Sequence, residues 1–455
     1  MNQISDPLRN AIPKVRERSV IHSIDHVVTI LRELQNPAYW AEHTLAAYMR
    51  EHPQLGSSDR AIIGDLVFTI VRWQRRITAA LGVTDETLFT SDEEAHAACA
   101  LLLCVSGYSQ ETIDAALPET VRGSIDAPWR EATATVLLSL DPTRATSAAA
   151  LGIRASYPDW IVNRLVSQYG FERARALLVA SQQRAPVTLR VNTLRTTREA
   201  ALEAMVSDGI AARPTEISQW GIELDEAVNI RGHQIYREGA IEIQDEGSQL
   251  LSLLVEAKPA ERIIDACAGA GGKTLCFAAM MENRGDLVAF DTDKRKLREL
   301  DRRARRAGCS ILQSHRVPVN TRHVGLADAV FVDAPCSGSG TWRRIPDGPR
   351  HIDVNRISEL AATQRDILRE YAPFVRPGGR LVYATCSIFR DENENVVESW
   401  LESDELGRLF RVIPIEETGI SRHVISRVAS GPYFALTPEQ YGTDGFFAAI
   451  MERVA

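Results

Sequence analysis

No run of apolar residues in this 455-residue chain is long enough to span a bilayer. Its first residues, "MNQISDPLRNAIPKVRERS", lack the apolar centre of a signal peptide, so export is not expected. The seven cysteines include no C-x-x-C pair, which removes the usual spacing of a structural zinc site, and no metal is expected. An odd number of cysteines without an export signal predicts reduced thiols and a cytoplasmic location. A net charge of −8 gives no general support to a nucleic-acid partner. With 45% hydrophobic and 25% charged residues the chain is of the soluble globular class, and its length allows two or three domains. Charge is unevenly placed, however. "KRKLRELDRRARRAG" from Lys294 and "TWRRIPDGPRH" around Trp342 are locally basic. Such patches on an acidic protein contact phosphates or form solvated helix faces.

Three regions differ in texture. Residues 1–145 repeat apolar positions at helical spacing in "SVIHSIDHVVTILREL", "WAEHTLAAYMREH", "DRAIIGDLVFTIVRWQRRITAAL" and "EEAHAACALLLCVSGY", predicting an all-helical domain. The third of these reads as one helix with Asp59 in its N-cap region. His22, His26 and His96 read as ordinary helix residues. Residues 146–245 mix helices with strand patterns such as "PVTLRVNTLR" and "GAIEIQD", a small α/β segment. Residues 246–455 alternate short apolar strands with helices. The strands "RIIDAC", "DLVAFDTD", "AVFVDAP" and "GRLVYATCS", closed by "GFFAAIMERV", predict a mainly parallel sheet covered on both faces. Ligands of such sheets bind at the carboxyl ends of the strands.

The first strand end carries "DACAGAGGKT", which imitates a nucleotide-triphosphate loop. That loop needs glycine where Cys267 stands. The second strand ends at Asp291, placed after the glycine loop as an acid that bonds a ribose diol would be. Together these favour an adenosine-containing cofactor over a triphosphate. Beyond the next strands lie Asp333-Ala334-Pro335-Cys336 and Thr385-Cys386-Ser387. Either cysteine alone would read as core packing; two at strand ends on the same sheet edge, one beside a carboxylate, point to a thiolate attacking an electrophilic carbon.

"DACAGAGGKT", "DAPCSGSGTWRRIPD", "LVYATCS" with "DENENVV", and "TDGFF" occur in the order found in the RNA 5-methylcytosine methyltransferases, and the chain resembles that family over roughly its last 300 residues. "YPDWIVNRL", "LRVNTLR" and "IEIQDEGSQL" resemble the family's small α/β extension, and "LGSSDRAIIGDLVFTIVRWQRRI" resembles the RNA-binding helical fold of NusB. The combination is similar to bacterial small-subunit rRNA cytosine-5 methyltransferases. The resemblance implies a Rossmann-like methyltransferase domain behind a small α/β subdomain and an all-α NusB-like domain. It implies S-adenosylmethionine as cofactor, held by Cys267, Ala268, Gly269, Ala270, Gly271, Gly272 and Lys273 in the loop, by Asp291 at the ribose, and by Asp333 near the methyl group. Cys386 is assigned as nucleophile, Cys336 serves the later elimination, and Asp333 bonds the cytosine edge; Lys273 alternatively holds the Asp333 carboxylate. Arg343, Arg344 and Asp347 are expected on the RNA-facing side. The partner implied is RNA, small-subunit rRNA ahead of tRNA, with no membrane, and a monomer is the working expectation. A non-catalytic ribosome-assembly factor on the same scaffold is the alternative from another class. Two departures stand out. Ala270 occupies a position where the family carries proline, and "CSILQSHRVPVN" offers no acid for the adenine side.

Overall fold

The fold is a computed structural model that describes residues 6–454 apart from 10, 84–88, 90, 227 and 318–323. The chain divides into two compact units, Met1–Arg184 with Trp342–Ile352, and Ala185–Thr341 with Asp353–Ala455. Among the described residues no helix is long and apolar enough to cross a membrane.

The first unit is helical because its apolar residues recur every three to four positions. The helix Glu17–Glu33 buries Val20, Ile24, Val27, Val28 and Leu31 along one stripe. The stretch expected as one helix is two, Ser57–Arg72 and Gln74–Leu81, broken at Trp73 (φ −109°, ψ 20°). Trp73 is a buried core residue, and beyond the break Arg76 is buried too, donating to the Leu137 carbonyl at 3.1 Å and pairing with Asp6. Asp59 lies in the first turn, not at the cap: Gly56 is the cap residue, and the Asp59 carboxylate accepts from its N–H at 3.0 Å.

The segment Trp342–Ile352 packs into this helical unit. Asp347 accepts from the Ala41 N–H at 2.6 Å, so its carboxylate serves the N-terminus of the helix Ala41–Glu51. His351 stacks on Trp40 with ring centroids 3.7 Å apart, and Arg72 donates to the Arg343 carbonyl at 2.9 Å. Arg343 and Asp347 are buried at 6% and 2% exposure, so neither lines an open face as the sequence had implied; Arg344 is exposed.

The second unit holds two sheets. Strands β1 (Val187–Val191), β2 (Ala212–Pro214), β3 (Gly221–Leu224) and β4 (Ile241–Ile243) form an antiparallel sheet in the order β2-β3-β1-β4. The larger sheet contains β5 (Arg262–Asp265), β6 (Asp286–Asp291), β7 (Leu312–Arg316), β8 (Ala327–Asp333), β9 (Val375–Thr385), β10 (Phe410–Val412), β11 (Ala429–Ser430), β12 (Tyr433–Leu436) and β13 (Phe446–Arg453). Its order is β11-β12-β13-β9-β8-β5-β6-β7, with β10 on β13. The five strands from β7 to β9 are parallel, and β13 runs antiparallel to β9. Both faces are buried, which explains the continuous apolar runs: Val330 and Val332 enter one core, Ala329 and Phe331 the other. Strand β7, "LQSHR", breaks that rule. It is a half-exposed edge, and no apolar pattern marks it in the sequence.

Candidate active site

Parallel pairing brings the ends of β5, β6, β8 and β9 to one edge, carrying Asp265, Asp291, Asp333 and Thr385. After β5 the chain turns through Gly269 (φ +56°) and Gly271 (φ +85°) into the helix Gly272–Met280. Gly271 has no substitute there, since a Cβ would lie 2.1 Å from Leu300 Cδ1 in a backbone region that side chains avoid. Asp291 accepts from the Gly269 N–H at 2.9 Å and the Asp293 N–H at 2.7 Å, so the ribose-type acid and the glycine loop are one piece. The Arg303 guanidinium donates to the Ala270 carbonyl at 2.8 Å, holding the loop where the family uses proline.

Asp265 is buried. Its Oδ2 accepts from Thr274 Oγ1 at 2.6 Å, and its Oδ1 has no partner. Burial pushes its pKa up to about 7, with the Thr274 hydrogen bond opposing and the Asp333 charge assisting. Lys273 lies 2.7 Å from Asp333 Oδ2. Burial alone would lower the Lys273 ammonium, but Asp333 and the other nearby acids outweigh it and the pKa ends above the usual lysine value. Burial and the charges of Asp265, Asp333 and Asp291 hold the Cys267 thiol far above its ordinary range, which keeps it protonated. A glycine-lined loop, an acid at the second strand end and an orphaned buried carboxylate oxygen suit a ligand with a diol and a positive centre, which fits S-adenosylmethionine.

Cys336 and Cys386, fifty residues apart in sequence, meet with their sulfurs 3.3 Å apart. The hydrogen bond shared with Cys386, in which Cys336 S–H is the donor, is the largest of the effects that raise the Cys336 thiol well above its usual value, and burial adds to it. Beneath the pair lies Glu392, fully buried. It accepts from the Ser337 N–H at 2.8 Å, Ser337 Oγ at 2.5 Å, Ser387 Oγ at 2.6 Å and Gln364 Nε2 at 3.2 Å. One carboxylate thus ties the residue after each cysteine. Asn393 continues the brace, accepting from Thr385 Oγ1 at 2.5 Å and donating to the Ser387 carbonyl at 2.9 Å. The Gly340 N–H donates to the Cys386 carbonyl at 2.9 Å, and Gly445 donates to the Gly340 carbonyl at 2.8 Å. A Cβ on Gly340 would sit 2.1 Å from the Gly445 oxygen, so glycine in "SGSGT" is a condition of that approach.

The residues expected in the cofactor loop, Asp291, Asp333, Cys336 and Cys386 lie on this strand-end edge and the loops that leave it, whereas Arg343, Arg344 and Asp347 belong to the segment packed into the helical unit. Asp265, Thr274, Glu392 and Asn393 were not singled out by sequence reasoning. "DENENVV" carried the signal for the last two, acids and amides directly behind a cysteine-bearing strand end. Residues 318–320 of "CSILQSHRVPVN", the stretch that offers no acid for the adenine side, lie outside the described residues. Among the described residues no three His, Cys, Asp or Glu side chains group as a metal site.

A family model described as 16S rRNA methyltransferase RsmB/F matches residues 252–452, and an RsmF/B-like ferredoxin-like domain model matches residues 157–231. The chain is 32% identical over 323 residues to a probable ribosomal RNA small subunit methyltransferase B of Bacillus subtilis, covering 69% of each chain. It is 28% identical to the ribosomal RNA small subunit methyltransferase B of Pseudomonas syringae, over 92% of this chain and 97% of that one. Among solved structures, a methyltransferase homologue from Pyrococcus horikoshii superposes with a TM-score of 0.57 at 27% identity, covering 68% of this chain and 99% of that one. NSun6 from the same organism, solved with the S-adenosylmethionine analogue SFG, shares the fold at a TM-score of 0.57 and 18% identity, over 66% of this chain and 99% of that one. The chain is therefore an S-adenosylmethionine-dependent methyltransferase with a Rossmann-like domain, and it belongs to the 16S rRNA methyltransferase RsmB/F family.

Proposed function

We propose that this enzyme methylates carbon 5 of a cytosine in small-subunit rRNA through a covalent bond between Cys386 and carbon 6. The observation that carries the reading is the pair of thiols 3.3 Å apart, next to Asp333 and the cofactor loop. Carbon 5 is a poor nucleophile. S-adenosylmethionine supplies an electrophilic methyl group. The Cys386 sulfur, as thiolate, bonds to carbon 6, and the electrons of the 5,6 double bond make carbon 5 enamine-like, so that it takes up the methyl. Loss of the carbon 5 proton then restores the double bond and expels the Cys386 thiolate. Cys336, having given its own proton to solvent after Cys386 is bonded to carbon 6, serves as the acceptor of the carbon 5 proton. Its thiol is raised chiefly by Cys386, and once that sulfur is bonded to carbon the chief cause is gone, which favours Cys336 as a base in the second half only. Lys273 engages Asp333 Oδ2 and leaves Oδ1 for the cytosine N3/N4 edge, where charge builds during attack. The target base must leave its stack to reach the sulfur. The helical domain and the basic stretches position the RNA backbone, and the enzyme works in the cytoplasm.

The test is methyl transfer from labelled cofactor to small-subunit rRNA, tRNA and DNA, followed by mapping of the modified base. Label at cytosine carbon 5 of the rRNA is expected. Label on another base or atom, or cofactor bound with no transfer to any of the three, refutes the reading.

A further inference from the structure

A second feature of the methyltransferase unit lies away from the thiols. Between the small sheet and the helix Lys294–Ala307 is a cavity of about 590 Å³, lined by Arg231, Tyr236, Arg237, Arg302, Arg303 and Arg306 together with Glu242 and Glu299. Five arginines against two glutamates make it strongly positive within a chain whose net charge is −8. It is a built site. Glu242 on β4 is 1% exposed and pairs with both Arg303, at 2.9 Å, and Arg306. Arg303 also donates to the Ala270 carbonyl of the cofactor loop, and the Arg306 guanidinium lies over the Tyr236 ring, 4.1 Å from its centroid. A merely solvated helix face leaves its arginines loose in water; here a buried carboxylate and an aromatic ring fix two of them in orientation. Arg231, Arg237 and Arg302 are exposed on the rim.

We propose that this cavity is a subsite for the sugar-phosphate backbone of the RNA substrate, binding a stretch of strand beside the cofactor loop. The proposal rests on the reading of the enzyme as an RNA methyltransferase. Guanidinium forks match phosphate oxygens in two-point contacts. The basic ridge favours a polymer over a single anion: Lys294, Arg295, Lys296 and Arg298 continue it along the same helix, whose thirteen-residue run to Arg306 rises about 18 Å, room for several phosphates. The Arg303–Ala270 hydrogen bond joins the cavity wall to the loop that holds the methyl donor, so a strand lying there runs past the donor site.

The experiment uses the full chain with Arg231→Gln, Arg237→Gln and Arg302→Gln combined, none of which touches the cofactor loop. Its probe is a labelled small-subunit rRNA fragment titrated at several salt concentrations. The triple variant should bind at least about tenfold more weakly, with the slope of log affinity against log salt reduced by about two, since each phosphate contact contributes about 0.7 for a single strand. Cofactor affinity should stay as in the parent, which shows that the variant is folded. Arg408→Gln with Arg411→Gln, in the turn before β10 and on β10, should change neither. RNA affinity and salt slope equal to the parent overturn the proposal, as does loss of binding to an aspartate-rich peptide or to inorganic phosphate without loss of RNA binding. If the parent methylates RNA and the triple variant binds normally, only the cavity proposal fails. If the triple variant binds RNA weakly but the parent transfers no methyl to RNA, the cavity stands and the methylation reading fails.

Discussion

Glu392 offers the sharpest test of how the two thiols are held together. Its carboxylate receives four hydrogen bonds, two from Ser337 and one each from Ser387 and Gln364, in a fully buried setting. Glu392→Ala removes the acceptor and strands those donors. Each orphaned buried donor costs about 1–3 kcal/mol, and serine hydroxyls recover part of this by rotating to other partners. A net loss of about 3–5 kcal/mol follows, which for a unit of this size corresponds to roughly 10 °C in melting temperature. Glu392→Gln keeps the shape. Its amide nitrogen donates to the Ser337 and Ser387 hydroxyls, which then act as acceptors, and only the charge assistance is lost, about 1–2 kcal/mol. The functional effect should exceed the thermal one, because the brace sets the 3.3 Å sulfur separation. Glu392→Gln should lower the methyl-transfer kcat by about tenfold or more, the cost of slight misplacement of reacting groups, with cofactor affinity unchanged. Calorimetry and single-turnover transfer read the two effects separately. Should Glu392→Ala melt within about 1 °C of the parent and turn over at the parental rate, the clamp has no mechanical role and the reasoning is wrong.

Cys386→Ala should abolish methyl transfer, whereas Cys336→Ala should leave protein covalently attached to RNA on a denaturing gel; continued turnover without such an adduct refutes the division of labour. Asp265, with its pKa at about 7, gives a pH signature. A ligand with a positive centre favours the ionised carboxylate, so cofactor affinity measured by calorimetry should rise as pH increases through 7, and Asp265→Asn should flatten the profile. The sign for stability is opposite: the folded carboxyl holds its proton above the unfolded pKa of about 4, so this group makes the ligand-free protein progressively less stable between pH 4 and 7, and Asp265→Asn should remove that slope from thermal melts. Gly271→Ala meets Leu300 at 2.1 Å and a φ of +85°, and should cost about 1–3 kcal/mol while weakening cofactor binding, measured by melting and titration.

The chemistry-bearing residues were legible because each follows a strand whose both faces are buried. Such a strand is an uninterrupted apolar run, and Asp291, Asp333 and Cys386 stand out as polar or reactive endings to "LVAFD", "AVFVD" and "LVYATC". Strands without that signature escaped. Strand β7 is a polar edge, and β2 and β3 are short pieces whose pairing, not their composition, makes them strands. The break at Trp73 was equally silent, since both flanking helices continue one apolar stripe. Asp347 read as a cleft residue because a charged stretch after a cysteine loop looks exposed; its burial depends on a helix N-terminus some three hundred residues earlier.

By itself the sequence determined which reactive groups exist, their order along the chain, and that alternating strands and helices would carry them to one sheet edge, because burial periodicity is a local property. Tertiary structure alone decided that two sulfurs separated by fifty residues lie 3.3 Å apart, that Glu392 braces the residues that follow them, and that a buried Glu242 gathers arginines beside the glycine loop. Those arrangements depend on strand order and side-chain packing between distant segments, and no short-range pattern in the chain encodes them.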